Sequence, residues 1–253
     1  MEGLTFERGG RRGGPTLVLI HPMGADLRFW DTCRGHLEPR FDCLAMDLPA
    51  AGSSPDPAGL LSLTRQAEIL AEMLDEIEID RFVAVGCAVG AMIAVHLLAR
   101  RPDRSMGAVL ANPGLRTEGP ARSALAARAA AVRDGGMAAI AEATVARAFE
   151  GQTDEAARAT FADRFLSQDP ERYARQIDGM LDADISKDLL RIRCPALISV
   201  GGYDRLLPPD IGRKVAADWP GASLIEYPDA AHFIPYQSPG PFSRDLMQWL
   251  IRA

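Results

Sequence analysis

The sequence is poor in the residues that hold metals and build covalent frameworks. Its four cysteines, Cys33, Cys43, Cys87 and Cys194, stand at no paired spacing, so neither a disulfide scaffold nor a zinc site can be read from them. Histidine is equally sparse: a general base of that kind is one of His21, His36, His96 or His232. Long apolar runs are missing as well. The run nearest the N-terminus, Thr16 to Ile20, is far too short for a signal segment or a membrane span, and a cytoplasmic location with no membrane partner is the expectation. Basic residues are outnumbered, 28 against 34 acidic ones for a net charge of -6, which excludes a general electrostatic attraction to nucleic acid or anionic lipid. The expected partner is a small molecule.

What is present is ordinary globular composition, 253 residues with 47% hydrophobic and 25% charged side chains, enough to bury a sizeable core. Short β-rich runs alternate with helical patterns: Thr16 to Ile20, Phe41 to Leu48, Arg81 to Gly86, Gly107 to Ala111, Ala196 to Val200 and Ser223 to Tyr227 read as strands. Leu61 to Ile77 and Val89 to Arg101 read as helices, the second apolar on several faces as a helix packed against a sheet should be. The fold class is α/β with a mostly parallel sheet. The alternation stops after Asn112-Pro113-Gly114 and resumes at Cys194-Pro195. Between them Ala121 to Val132, Met137 to Phe149, Asp154 to Phe165 and Pro170 to Leu181 read as helices, which suggests a helical lid at 117 to 185 inserted in a core made of 1 to 116 and 186 to 253.

The turn after the third predicted strand runs Val85-Gly86-Cys87-Ala88-Val89-Gly90. Two glycines flank a central residue by two positions on each side, in the strand, tight turn, helix setting of a nucleophile elbow. The central residue is Ala88, and a methyl group cannot attack a carbonyl. The remaining parts of a Ser-His-Asp site follow in chain order. Asp204 lies just beyond the strand ending at Val200, and His232 lies in the loop after the last strand. His21-Pro22-Met23-Gly24 follows the first strand, where the N–H of Met23, together with that of Val89, is placed to form an oxyanion hole.

On these residues, and on Asp47-Leu48-Pro49-Ala50-Ala51-Gly52-Ser53-Ser54, the chain resembles the α/β-hydrolase fold superfamily over nearly its whole length. More narrowly, Gly24 to Asp31 and Ala131 to Ala141 are similar to 3-oxoadipate enol-lactonases, hydrolases of aromatic catabolism. The resemblance implies hydrolysis of a small lactone or carboxylic ester, with no metal and no organic cofactor. Ala88 departs from the pattern and leaves three readings open. The site belongs to a hydrolase whose serine has been replaced or lost, or to an enzyme using His232 for lyase, cyclase or cofactor-free oxygenase chemistry, or to a small-molecule binding protein.

The neighbouring candidates weigh less. Cys87 sits one position from the elbow's centre, where a side chain points into neighbouring structure, so an inert buried thiol is expected. Arg28 and Arg133 are candidates for pairing with a substrate carboxylate, Trp30 and Phe233 for lining an apolar pocket, and His21 for substrate contact beside the oxyanion loop.

Overall fold

Apolar residues on both faces of a strand demand cover on both sides, and β2 (Thr16–Ile20) and β4 (Phe82–Cys87) are buried at every position. The structure is a computed structural model describing residues 3–252. Its sheet adds β1 (Phe6–Gly10), β3 (Asp42–Met46), β5 (Ser105–Ala111), β6 (Ala196–Gly201) and β7 (Ser223–Tyr227), in the order β1-β3-β2-β4-β5-β6-β7. Only the β1–β3 pair is antiparallel. β1 escaped the sequence reading because its residues, Phe-Glu-Arg-Gly-Gly, are half-exposed and lack alternation; pairing with β3 holds it.

The helices are α1 (Asp31–Leu37), α2 (Leu63–Glu76), α3 (Val89–Arg100), α4 (Gly119–Gly135), α5 (Ala138–Ala148), α6 (Glu155–Leu166), α7 (Pro170–Met180), α8 (Ser186–Leu189), α9 (Pro209–Asp218), α10 (Ile234–Gln237) and α11 (Pro239–Arg252). Alternate strand residues feed two cores. Val18, Ile20 and Leu44 pack with α2, α3, α8 and α9, while Leu17, Leu19 and Cys43 pack with α1 and α11. Local chemistry sets several helix starts: Ser62 caps α2 by accepting from the Arg65 N–H, Asp154 caps α6, and Asp169 caps α7 just before Pro170.

Helices α4 to α7 leave the sheet after β5 and return at β6. α7 is bolted to the loop after β3: Gln176 donates to the Ala50 carbonyl at 2.8 Å, and Arg175 donates to the carbonyls of Pro57 and Gly59. α4 is tied to α7 through Arg133, whose guanidinium bonds Glu171 and Asp178. No helix among the described residues is long and apolar enough to cross a membrane.

Candidate functional site

The turn from β4 to α3 is held in a conformation that ordinary residues avoid. Ala88 has φ 52° and ψ −115°, a region costing on the order of 1–3 kcal/mol for a residue with a Cβ. Its neighbours must be glycines for a steric reason. A Cβ on Gly86 would lie 2.5 Å from the Gly90 carbonyl oxygen, and one on Gly90 would lie 2.3 Å from that of Ile20. The turn therefore packs backbone against backbone and thrusts the Ala88 methyl into a cavity of about 430 Å³.

His232 and Phe233 line the same cavity. The Nδ1 of His232 is 2.8 Å from Asp204 Oδ2, and the aspartate side chain is wholly buried. The other oxygen, Oδ1, accepts from the N–H groups of Leu206 and Leu207 at 2.8 and 2.9 Å, so the carboxylate is fixed from both ends. Asp229, the nearest rival carboxylate in sequence, is exposed. Met23 and Val89 also line the cavity, and neither amide meets a protein acceptor among the described residues. Val89 opens α3, where the first-turn N–H groups are unpaired by construction and the helix dipole favours negative charge.

Four other sequence candidates lie outside the cavity lining. His21 is fully buried; its Nδ1–H donates to the Pro22 carbonyl and its Nε2 accepts the Leu48 N–H, which ties the loop after β2 to the loop after β3 and uses both ring nitrogens. Burial lowers its pKa, so the ring is neutral. Trp30 is fully buried against Phe29 and Phe242. Arg28 is half-exposed and chelates Asp26. Arg133 sits on the outer surface, committed to Glu171 and Asp178. Both arginines find carboxylates within the protein, a pairing that sequence spacing did not disclose for Arg133 because its partners are on another helix.

Cys87 is buried with its Sγ 3.7 Å from the His232 carbonyl, and burial followed by the charge of Asp204 pushes its thiol pKa well above the usual value. It is no nucleophile at neutral pH. Two residues that the sequence reading passed over hold the His232 loop. Asn112 bonds the carbonyls of Ala231 and His232, and Gln237 Oε1 accepts from the N–H groups of Ala231 and Phe233. The only sequence signal at Asn112 was its place at the end of β5, where a left-handed φ of 45° suits asparagine. Among the described residues no group of three His, Cys, Asp or Glu side chains comes together to hold a metal.

A mostly parallel sheet, a strained strand-to-helix turn and a His–Asp pair at the cavity wall define an α/β-hydrolase. The Alpha/beta hydrolase family model matches residues 17–245, and the chain belongs to that family. Among solved structures it is similar to the enol-lactonase from Burkholderia xenovorans LB400 (TM-score 0.91, 28% identity, 98% of this chain and 96% of that one). It is equally similar to a malate-bound thermophilic esterase from Thermogutta terrifontis (TM-score 0.91, 27% identity, 98% and 93%). Among curated proteins it is 28% identical over 228 residues to RutD of Klebsiella pneumoniae (strain 342), whose carbamate hydrolase name is itself provisional; the match spans 87% of this chain and 85% of RutD.

Proposed function

We propose that the cavity is the substrate site of a small carboxylic ester or lactone hydrolase in which Ala88 holds the nucleophile position. One observation carries the reading: Ala88 keeps the strained elbow conformation, at φ 52°, and shares the cavity with His232, itself paired to Asp204. An alanine gains nothing from that backbone strain, whereas a reacting hydroxyl at the same position would be exposed to a substrate carbonyl.

In this reading Asp204 holds the His232 ring and its tautomer, and the amides of Met23 and Val89 receive the oxyanion of a tetrahedral intermediate. Residues 117 to 185 act as a lid over the core, excluding water, and Phe233 supplies apolar wall. With serine at position 88, His232 would take the hydroxyl proton as the oxygen attacks the carbonyl, return it to the leaving group, and then activate the water that releases the acyl group. With alanine no acyl-enzyme forms, and the chain binds its substrate without turning it over by this route.

The test compares this chain with Ala88→Ser on activated esters and small lactones, following both the initial burst and the steady rate. A burst stoichiometric with enzyme, present only in the serine variant, is the expected result. No gain with serine, while the alanine chain transforms a ligand in a His232-dependent way, would replace this reading with acid–base chemistry at an alanine site. Saturable binding without turnover in either form would leave a binding protein.

A further inference from the structure

Among the described residues, the cavity wall holds a single side chain that can take up a proton at neutral pH. No aspartate, glutamate, lysine, cysteine or serine lines it, and its four arginines, Arg116, Arg128, Arg147 and Arg205, stay protonated. His232 is left. Its Nδ1 faces Asp204 Oδ2 at 2.8 Å, and Asp204 Oδ1 is already taken by the Leu206 and Leu207 N–H groups, so the ring proton belongs on Nδ1. In the neutral ring Nε2 is then a lone pair. It bonds no protein group among the described residues, yet it is not sealed from solvent: the side chain is 10% exposed and lines the cavity.

Ala88 offers that lone pair nothing to bond, because a methyl cannot donate. The elbow and the His232 loop are nevertheless in contact, with Cys87 Sγ 3.7 Å from the His232 carbonyl, and Cys87 itself is held neutral. Water is the natural partner for Nε2. A water needs only about 10–15 Å³ of such space, and the cavity of about 430 Å³ has room for one beside a small substrate. The amides of Met23 and Val89, which meet no protein acceptor among the described residues, line the same space and can receive a carbonyl oxygen.

We propose that the chain with Ala88 is itself a hydrolase, in which His232 and Asp204 drive a water directly onto the carbonyl of an ester or lactone. The inference rests on the proposed reading for its site and substrate class, and not on a serine. The water oxygen bonds the carbonyl carbon as its proton passes to Nε2, and the carbonyl π pair moves to the oxygen held by the two amides. When the tetrahedral species collapses, the bond to the leaving oxygen breaks and the Nε2 proton goes to that oxygen. An ester yields an acid and an alcohol; a lactone yields its hydroxy acid. No protein atom is ever bonded to the substrate, which separates this route from the acyl-enzyme route of a serine.

The test follows 4-nitrophenyl acetate, 4-nitrophenyl butyrate and dihydrocoumarin with the unaltered chain, Ala88→Ser and His232→Gln. The unaltered chain should turn over at least one of them without a burst, about 10²-fold or more faster than His232→Gln. Its rate should rise with pH as a single group loses its proton. A fluorophosphonate, which should silence Ala88→Ser, should leave the unaltered chain fully active, and intact mass during turnover should show no acyl adduct. Should thermal melts show that His232→Gln does not fold, methylation of the His232 ring with methyl 4-nitrobenzenesulfonate, located by peptide mass, should abolish the activity in step. Hydrolysis no faster than that of His232→Gln, activity that survives methylation of the ring, an acyl adduct on the unaltered chain, or activity lost to iodoacetamide or the fluorophosphonate would overturn the proposal. A serine-dependent burst beside an inert unaltered chain sinks the direct route alone. His232-dependent hydrolysis by the unaltered chain, with no burst from Ala88→Ser, sinks the assignment of position 88 to a nucleophile alone.

Discussion

The carboxamide of Asn112 donates to the main-chain oxygen of His232 at 2.9 Å and to that of Ala231 at 2.8 Å, while its oxygen accepts the Gly201 N–H at 2.8 Å. One buried side chain thus joins the end of β5, the end of β6 and the loop bearing the imidazole. The His232 N–H is held in turn by the Ala148 carbonyl, 3.3 Å away on α5.

Asn112→Ala should therefore do more than remove a polar group. It strands the buried Gly201 N–H and leaves an alanine at a φ of 45°. A destabilisation of about 3 kcal/mol is expected, seen as a lowered midpoint in urea unfolding. In an Ala88→Ser background the same change should lower kcat more than it raises KM, because it displaces His232 and leaves the lining helices alone.

At the elbow, substitutions should separate by geometry. Gly86→Ala and Gly90→Ala force a Cβ to within 2.5 and 2.3 Å of backbone oxygen, and each is expected to cost about 3 kcal/mol or more, or to prevent folding. Ala88→Gly relieves a left-handed backbone but gives up a buried methyl and adds freedom to the unfolded chain, so it should change stability by no more than about 1 kcal/mol. Equal losses at all three positions in thermal melts would show that the turn is not strained at its centre.

The Asp204 carboxylate lies 2.8 Å from the His232 Nδ1, so on the proposed reading Asp204→Asn combined with Ala88→Ser should lower kcat by roughly 10⁴-fold with the fold intact. An activity within tenfold of the Ala88→Ser chain, measured on the same activated ester, would remove Asp204 from this role.

His21 gives a pH dependence with a definite sign. Burial lowers its pKa below 6.5, so the folded ring refuses a proton that the unfolded ring accepts. Its contribution is complete above pH 6.5 and is lost as pH falls from there toward the folded value, by up to about 1.4 kcal/mol per pH unit. Urea titrations of this chain and of His21→Gln between pH 7.5 and 5 should converge at the acidic end; a constant gap would show that His21 does not titrate on unfolding.

Cys87, buried and held neutral, should resist iodoacetamide in the folded chain and react once the chain is unfolded in urea. Rapid labelling of the native protein that depends on His232 would make it a nucleophile after all.

Much of this molecule follows from one-dimensional pattern. β2 and β4 to β7 are short β-rich runs whose hydrophobicity needs no partner to be seen, α2 and α7 carry side-chain caps beside their helical periodicity, and Gly86, Ala88 and Gly90 form a turn whose spacing is itself the signal. Asp204 and His232 could be picked out because each follows a strand. Tertiary structure alone decided what the charged and polar side chains do. An arginine reads the same in sequence whether it pairs with a carboxylate 38 residues away, as Arg133 does with Glu171, or lines a cavity and donates to a hydroxyl, as Arg128 does to Thr144. Likewise Asn112 gains its grip on His232 from a separation of 120 residues. Hydrophobic periodicity is a property of neighbouring positions, whereas the pairing of polar groups depends on which distant atoms the packed chain brings within about 3 Å, and only the folded molecule fixes that.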